Sequence, residues 1–95
     1  MSYFVLSYEV IEDYVEQRSR YREEHLGIAR SAFERGDLVL AGALGDPIDG
    51  AMLVFRCEDS SIPEDFARND PYVRNGLVTR WTVRPWNVVI GGQAG

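Results

Sequence analysis

Leu38-Val-Leu-Ala-Gly-Ala-Leu-Gly45 and Ala51-Met-Leu-Val-Phe-Arg-Cys57, separated by Asp46-Pro-Ile-Asp-Gly50, decide how this chain folds. Two apolar, partly β-branched runs flank a segment of turn chemistry, and that pattern predicts a hairpin. What lies on either side of it sets the topology. Upstream, Tyr3 to Val10 is aromatic and β-branched, which suits a strand. Ile11 to Arg35 is charged, holds Gly27 as its only breaker and ends at Gly36, a good residue just past a helix. It predicts a helix, with a break near Ser19 leaving a short first piece. Downstream, Ser61-Ile-Pro-Glu64 matches a capping box and opens a helix through about Asn69. Asp70-Pro71 stops it, because the residue before proline is pushed out of the α region. Gly76 to Ile90 predicts a long last strand, with Pro85 a bulge or an edge feature.

The order β-α-β-β-α-β is the ferredoxin-like split βαβ pattern, an α+β fold. A single domain over residues 1–90 is expected, with 91–95 a flexible tail. The strands are apolar on both faces. The first carries Phe4, Leu6, Tyr8 and Val10 on one side and Tyr3 and Val5 on the other. The second offers Leu38, Leu40 and Leu44 against Val39, Ala41 and Ala43, and Met52 and Val54 oppose Leu53 and Phe55. A lone sheet with helices on one side alternates apolar and polar more cleanly. The simplest account is a homodimer, in which a second copy covers the far face; a partly wet, greasy face is the plainer alternative.

Composition narrows the function. The 95 residues are 45% hydrophobic and 26% charged, ordinary for a small globular domain. Fifteen acids against ten bases give a net charge of −5, which argues against nucleic acid and against an anionic membrane surface. All ten bases are Arg, so a Schiff-base lysine and a P-loop lysine are excluded. Cys57 has no partner for an internal disulfide, and one Cys with one His cannot supply a Cys/His zinc site. No apolar run exceeds six residues, and the N-terminus lacks the basic start of a secretory signal. A cytoplasmic protein without metal or cofactor is the expectation.

Candidate chemistry lies on the first helix. At about 100° per residue, Tyr14, Val15, Tyr21, Ile28, Ala29, Ala32 and Phe33 share one broad arc. His25 falls near its middle, flanked by Arg18 and Arg22. A break near Ser19 loses the phase of Arg18 but keeps the Arg22–His25–Ala29 ladder. Inward guanidinium groups need an acceptor. They can reach the rim or pair with Glu9 and Asp59, or they can line a pocket that binds an anion, with His25 as acid or base. Asp70 is open in the same way. It can simply cap the chain, or it can orient the His25 imidazole. Tyr72, Trp81 and Trp86 read as core or interface, and one of them can wall a pocket.

Arg22-Glu-Glu-His25-Leu26, Gly36-Asp-Leu-Val-Leu-Ala-Gly42, Asp70-Pro-Tyr-Val73, Gly76-Leu-Val78 and Val83-Arg-Pro-Trp86 together resemble the YciI-like (YCII-related domain) family over nearly the whole chain. The order and spacing of these segments carry the resemblance. It implies a dimeric α+β barrel with a His–Asp centred active site, here His25 and Asp70; beside them, the reading of the residues places Arg22, Arg18 and Tyr72 as the groups binding a small, anionic ligand. It also implies lyase-type chemistry, since dehydrochlorination of a chlorinated hydroxyquinol is one reaction of the family. Three other readings stay open: a ligand-binding or stress-related dimer without turnover, a cofactor-free monooxygenase, and a lactone isomerase. Two departures stand out. The loop Asp46 to Gly50 is short, and Arg84 and Trp86 replace a usual lysine and phenylalanine.

Overall fold

The computed structural model describes residues 1–92, and 93–95 of the expected tail lie outside the described residues. Strand β1 spans Ser2–Val10, β2 Leu38–Leu44, β3 Gly50–Cys57 and β4 Val78–Trp86. Their order in the sheet is β2-β3-β1-β4, with every neighbouring pair antiparallel. Placing β3 between β1 and β2 splits the first β-α-β unit, which is the expected α+β topology. The last strand is shorter than its apolar run suggested. It ends at Trp86, and Val89 and Ile90 stand exposed beyond it. β4 is an edge strand, so Pro85 has no second neighbour to deprive of a hydrogen bond.

Each expected helix is a pair. α1 covers Tyr14–Gln17, a 3₁₀ turn follows over Arg18–Arg20, and α2 runs Arg22–Glu34. The break therefore falls where Ser19 suggested. It rephases the upstream residues, which leaves Val15 exposed while Tyr14 stays buried. Phe33 also leaves the expected arc, at 61% exposed. It follows the fully buried Ala32 by one residue, about 100° around the helix, so one sheet cannot cover both. α3 spans Ser61–Asn69. Its expected capping box does not form. The Asp59 carboxylate accepts from the Ser61 amide at 2.8 Å, the donor Glu64 would have reached back to, and from the Ser61 hydroxyl as well. These two bonds hold the Asp59 carboxyl below its usual range. A further short helix, α4 over Pro71–Arg74, was hidden behind the proline that ends α3.

The helices cover one face of the sheet. Phe4, Leu6 and Tyr8 of β1 meet Phe55, Leu53 and Ala51 across the strand pair, and all six are buried. Phe66 and Ala67 of α3 and Ala32 of α2 close over them. Burying such side chains contributes about 1.5–3 kcal/mol each for the large ones. β2 departs from the expected alternation. The register slips at Val39, so Leu38 pairs with Phe55 but Leu40 pairs with Val54. A bulge of one residue flips everything after it. Leu38, Ala41 and Ala43 therefore share the helix side, while Leu40 and Leu44 point to the open face. There they join Val5, Met52 and Val54, with Arg84 and Trp86 at the far edge. Leu40 is 62% exposed and Trp86 46%. The hairpin turn depends on Gly45, whose φ is +92° and where a Cβ would sit 2.6 Å from Asp49 Oδ1.

Candidate active site

Asp70 is the fixed point of the site. Its backbone is extended, at ψ 123°, as the residue before Pro71 must be, and that turn of the chain ends α3. Its Oδ1 then accepts the Tyr72 amide at 3.0 Å and caps α4. The capping carboxylate also meets the imidazole. His25 Nδ1 lies 2.9 Å from Oδ1 and 3.0 Å from Oδ2. The Tyr8 hydroxyl, from the middle of the sheet, donates to Oδ2 at 2.7 Å. A carboxylate that already receives two donors, and is itself 0% exposed, is an acceptor. It fixes the proton of neutral His25 on Nδ1 and leaves Nε2 as the ring nitrogen available to a ligand. Among the described residues no hydrogen bond engages Nε2.

Packing holds the imidazole plane as firmly as the hydrogen bond holds its edge. The Tyr72 ring stacks on it at 4.0 Å and 13°, and Phe66 meets it edge-on at 6.5 Å. Tyr14 in turn packs edge-on against Tyr72 at 5.6 Å. In front of this wall is a cavity of about 380 Å³. His25, Arg18, Arg22 and Tyr72 line it, four of the five residues singled out in the sequence, and Asp70 lies directly behind His25. The opposite wall is small and apolar, with Ala41, Ala43 and Ala51 prominent.

Neither guanidinium pairs with the acids named above, and Arg22 is exposed while Arg18 is half-buried. Glu9 pairs with Arg80 at 3.6 Å and Asp59 is engaged by Ser61, while no ion pair among the described residues involves Arg18 or Arg22. Arg18 lies over the Tyr14 ring at 5.5 Å. The cavity thus holds positive charge without a matching carboxylate, because Asp70 is spent on its own donors. Three phenols surround it. Burial pushes Tyr8 far above its ordinary value, and the Asp70 charge and hydrogen bond push the same way. Burial also raises Tyr14 against the opposing pull of Arg18, and raises Tyr72 with help from Tyr14 against Arg22 and Arg18. All three are neutral donors at neutral pH. The Tyr72 hydroxyl is buried near Arg22 without a hydrogen bond of normal geometry. It is an unsatisfied group at a ligand cavity. Among the described residues no set of three metal-ligating side chains converges.

Tyr8 and Tyr14 were read in the sequence only as apolar surface. A tyrosine on a buried strand face was the available signal, since a buried phenol requires a partner. The hairpin loop Asp46 to Gly50 contributes nothing to the cavity lining, and Arg84 and Trp86 lie on the open face, so neither departure touches the site.

An antiparallel α+β domain with a histidine–carboxylate pair beside an arginine-lined cavity is the class this fold and site define. The chain belongs to the YCII-related domain family, whose model matches residues 1–87. Among solved structures it is similar to 5-chloro-2-hydroxyhydroquinone dehydrochlorinase (TftG) from Burkholderia phenoliruptrix AC1100, in complex with 2,5-dihydroxybenzoquinone. The TM-score is 0.73 at 18% identity, over 88% of this chain and 92% of that one. No curated protein matches the sequence. No helix among the described residues is long and apolar enough to cross a membrane.

Proposed function

We propose that the cavity is the active site of a small-molecule enzyme in which His25 is the acid/base group and Asp70 its orienter. The observation that carries this reading is the bond from His25 Nδ1 to a fully buried carboxylate beside a ligand-sized cavity. Such a bond points Nε2 outward as a base and stabilises the imidazolium that forms when it takes a proton. Arg18, Arg22 and the unsatisfied Tyr72 hydroxyl hold an anionic oxygen of the substrate. The class of substrate is a phenolic ring compound, a reading supported by the similar fold of a dehydrochlorinase that binds 2,5-dihydroxybenzoquinone. In a lyase-type elimination, Nε2 takes a ring or hydroxyl proton and its electron pair moves into the ring. A leaving anion such as chloride departs with its bonding pair, and the lost proton and anion balance. No external oxidant or cofactor is required.

The enzyme acts as a homodimer, with the open sheet face as the contact. Leu40, Leu44 and Trp86 leave apolar surface there that water alone does not favour. A cytoplasmic setting fits the unpaired, buried Cys57 thiol.

Turnover across a panel of halogenated hydroxyquinols tests the proposal. The expected result is elimination activity that disappears in His25→Ala and persists in the exposed variant Glu23→Gln. Tight binding of the same compounds without turnover, unaffected by His25→Ala, would show a binding protein instead. Native mass spectrometry of freshly purified protein then identifies any retained ring compound.

A further inference from the structure

Phe4 and Leu6 on the buried face of β1 are hydrocarbon, and Tyr8 continues their row with a hydroxyl. A phenylalanine at that position would fill the same space against Trp81 and Ala51, its cross-strand neighbours. The oxygen is therefore the feature to explain. It lies 2.7 Å from Asp70 Oδ2, joining the middle of the sheet to a loop 62 residues away. Oδ2 is also within 3.0 Å of His25 Nδ1, so Tyr8 and His25 draw on the same oxygen. Tyr72 supplies its amide to Oδ1, and Nδ1 sits almost evenly between the two oxygens.

We propose that Tyr8 is a positioning residue for His25, acting through Asp70: its hydroxyl anchors the carboxylate and takes a share of its charge, so the imidazole is held in place while its hold on an added proton is weakened. The inference rests on the acid/base role given to His25 above. The physical argument is competition. A carboxylate stabilises an imidazolium in proportion to the charge it has free, and a short O–H···O⁻ bond draws charge away. Without Tyr8, Asp70 would bind the imidazolium more tightly and His25 would release its proton less readily. The phenol keeps its own proton throughout, because burial and Asp70 both oppose its ionisation.

The other groups facing His25 are accounted for by element. Arg22 and Arg30 lie on its own helix, Arg18 on the preceding turn, Tyr14 on α1, and Asp70 and Tyr72 at the start of α4. The β2 and β3 residues lining the cavity are Ala41, Gly42, Ala43, Ala51 and Leu53, none of them titratable. Tyr8 is thus the sheet's one polar contribution to the site among the described residues.

The test is the NMR titration of the His25 imidazole in the intact chain, wild type against Tyr8→Phe. No substrate is needed, so the result is independent of whether the proposed turnover is found. The expected result is a midpoint about one unit higher in the variant, or about tenfold in proton affinity, with the neutral form keeping its proton on Nδ1. An unmoved midpoint, even with a lowered melting temperature, overturns the proposal, since a hydroxyl that merely satisfies packing changes stability alone. Should Tyr8→Phe not fold, 3-fluorotyrosine placed at position 8 keeps the shape and is a stronger donor. It should move the midpoint down, and no movement there likewise overturns the idea. With a substrate in hand, the acid limb of kcat/KM must follow the same shift. Loss of the catalytic reading, through a fully active His25→Ala, leaves the titration result standing by itself.

Discussion

Asp70→Asn removes a charge and almost nothing else. The amide matches the carboxylate in shape, and asparagine caps helices as well as aspartate does, so the bond from the Tyr72 amide survives. What is lost is charge assistance. Asp70 receives donors from Tyr8, Tyr72 and His25, and it is 0% exposed, so water cannot compensate. Hydrogen bonds to a charged group are worth about 1.5–3 kcal/mol against about 0.5–1.5 for neutral pairs. At a loss of about 1 kcal/mol per donor, the three bonds cost about 3 kcal/mol. Geometry adds to this, because the NH₂ group must replace one oxygen. Set at Oδ2, it faces the Tyr8 hydroxyl, which can rotate to accept, and also Nδ1–H of His25, which cannot. In a domain of this size about 3 kcal/mol corresponds to roughly 12–24 °C in melting temperature. Urea denaturation followed by circular dichroism at neutral pH measures it directly, with an unchanged slope confirming that only stability has altered. Asp70→Ala serves as the second point and should cost about 1 kcal/mol more, through the lost cap. If Asp70→Asn unfolds within about 1 kcal/mol of wild type, the carboxylate is not the ionised hub described above, and the orientation argument for His25 goes with it.

Burial, seconded by the Asp37 and Asp59 charges, pushes the Cys57 thiol up to about 11, so the folded state keeps a proton that the unfolded chain sheds from about pH 9. Stability is accordingly full below that pH and falls as pH rises toward 11, the raised tyrosines extending the loss further; melting temperatures against pH check the sign, and Ellman's reagent should react sluggishly at pH 8 until the chain unfolds. Gly45→Ala forces a Cβ to within 2.7 Å of the Pro47 carbonyl at a left-handed φ, and thermal denaturation should show a loss of about 1–3 kcal/mol; an unchanged melt refutes that account of the turn. Light scattering at micromolar concentration should give twice the 10.8 kDa chain mass, falling to the single mass in Leu40→Glu, whose carboxylate stands in the open face; a wild-type monomer refutes the dimer.

The elements were legible where local chemistry alone decides them. Strand composition, the Ser19 break and the pre-proline stop at Asp70 each act within a few residues, and each appears in the structure. The failures have different causes. Which residue of β2 bulges is settled by pairing with β3, and nothing in Leu38-Val39-Leu40 marks it. The acid at 59 takes the Ser61 amide that the Glu64 carboxylate of the box would have taken, and it engages the Ser61 hydroxyl as well. At the site, His25 and Arg22 stood out because two polar residues on an apolar arc conflict with simple burial. Tyr8 did not, because a phenol on a strand conflicts with nothing until its partner, far along the chain, is known.

The bulge at Val39 ties two properties of the molecule to a single parity. Beyond it, alanines face the cavity and leucines face outward. Deleting one residue there would exchange the sets, driving leucine side chains into the space a ligand needs and leaving the outer surface bare of them. Capacity for a guest and stickiness toward a neighbour are thus written on the same ribbon in opposite phase. Point substitutions can tune either one, but an insertion or deletion in this strand alters both together.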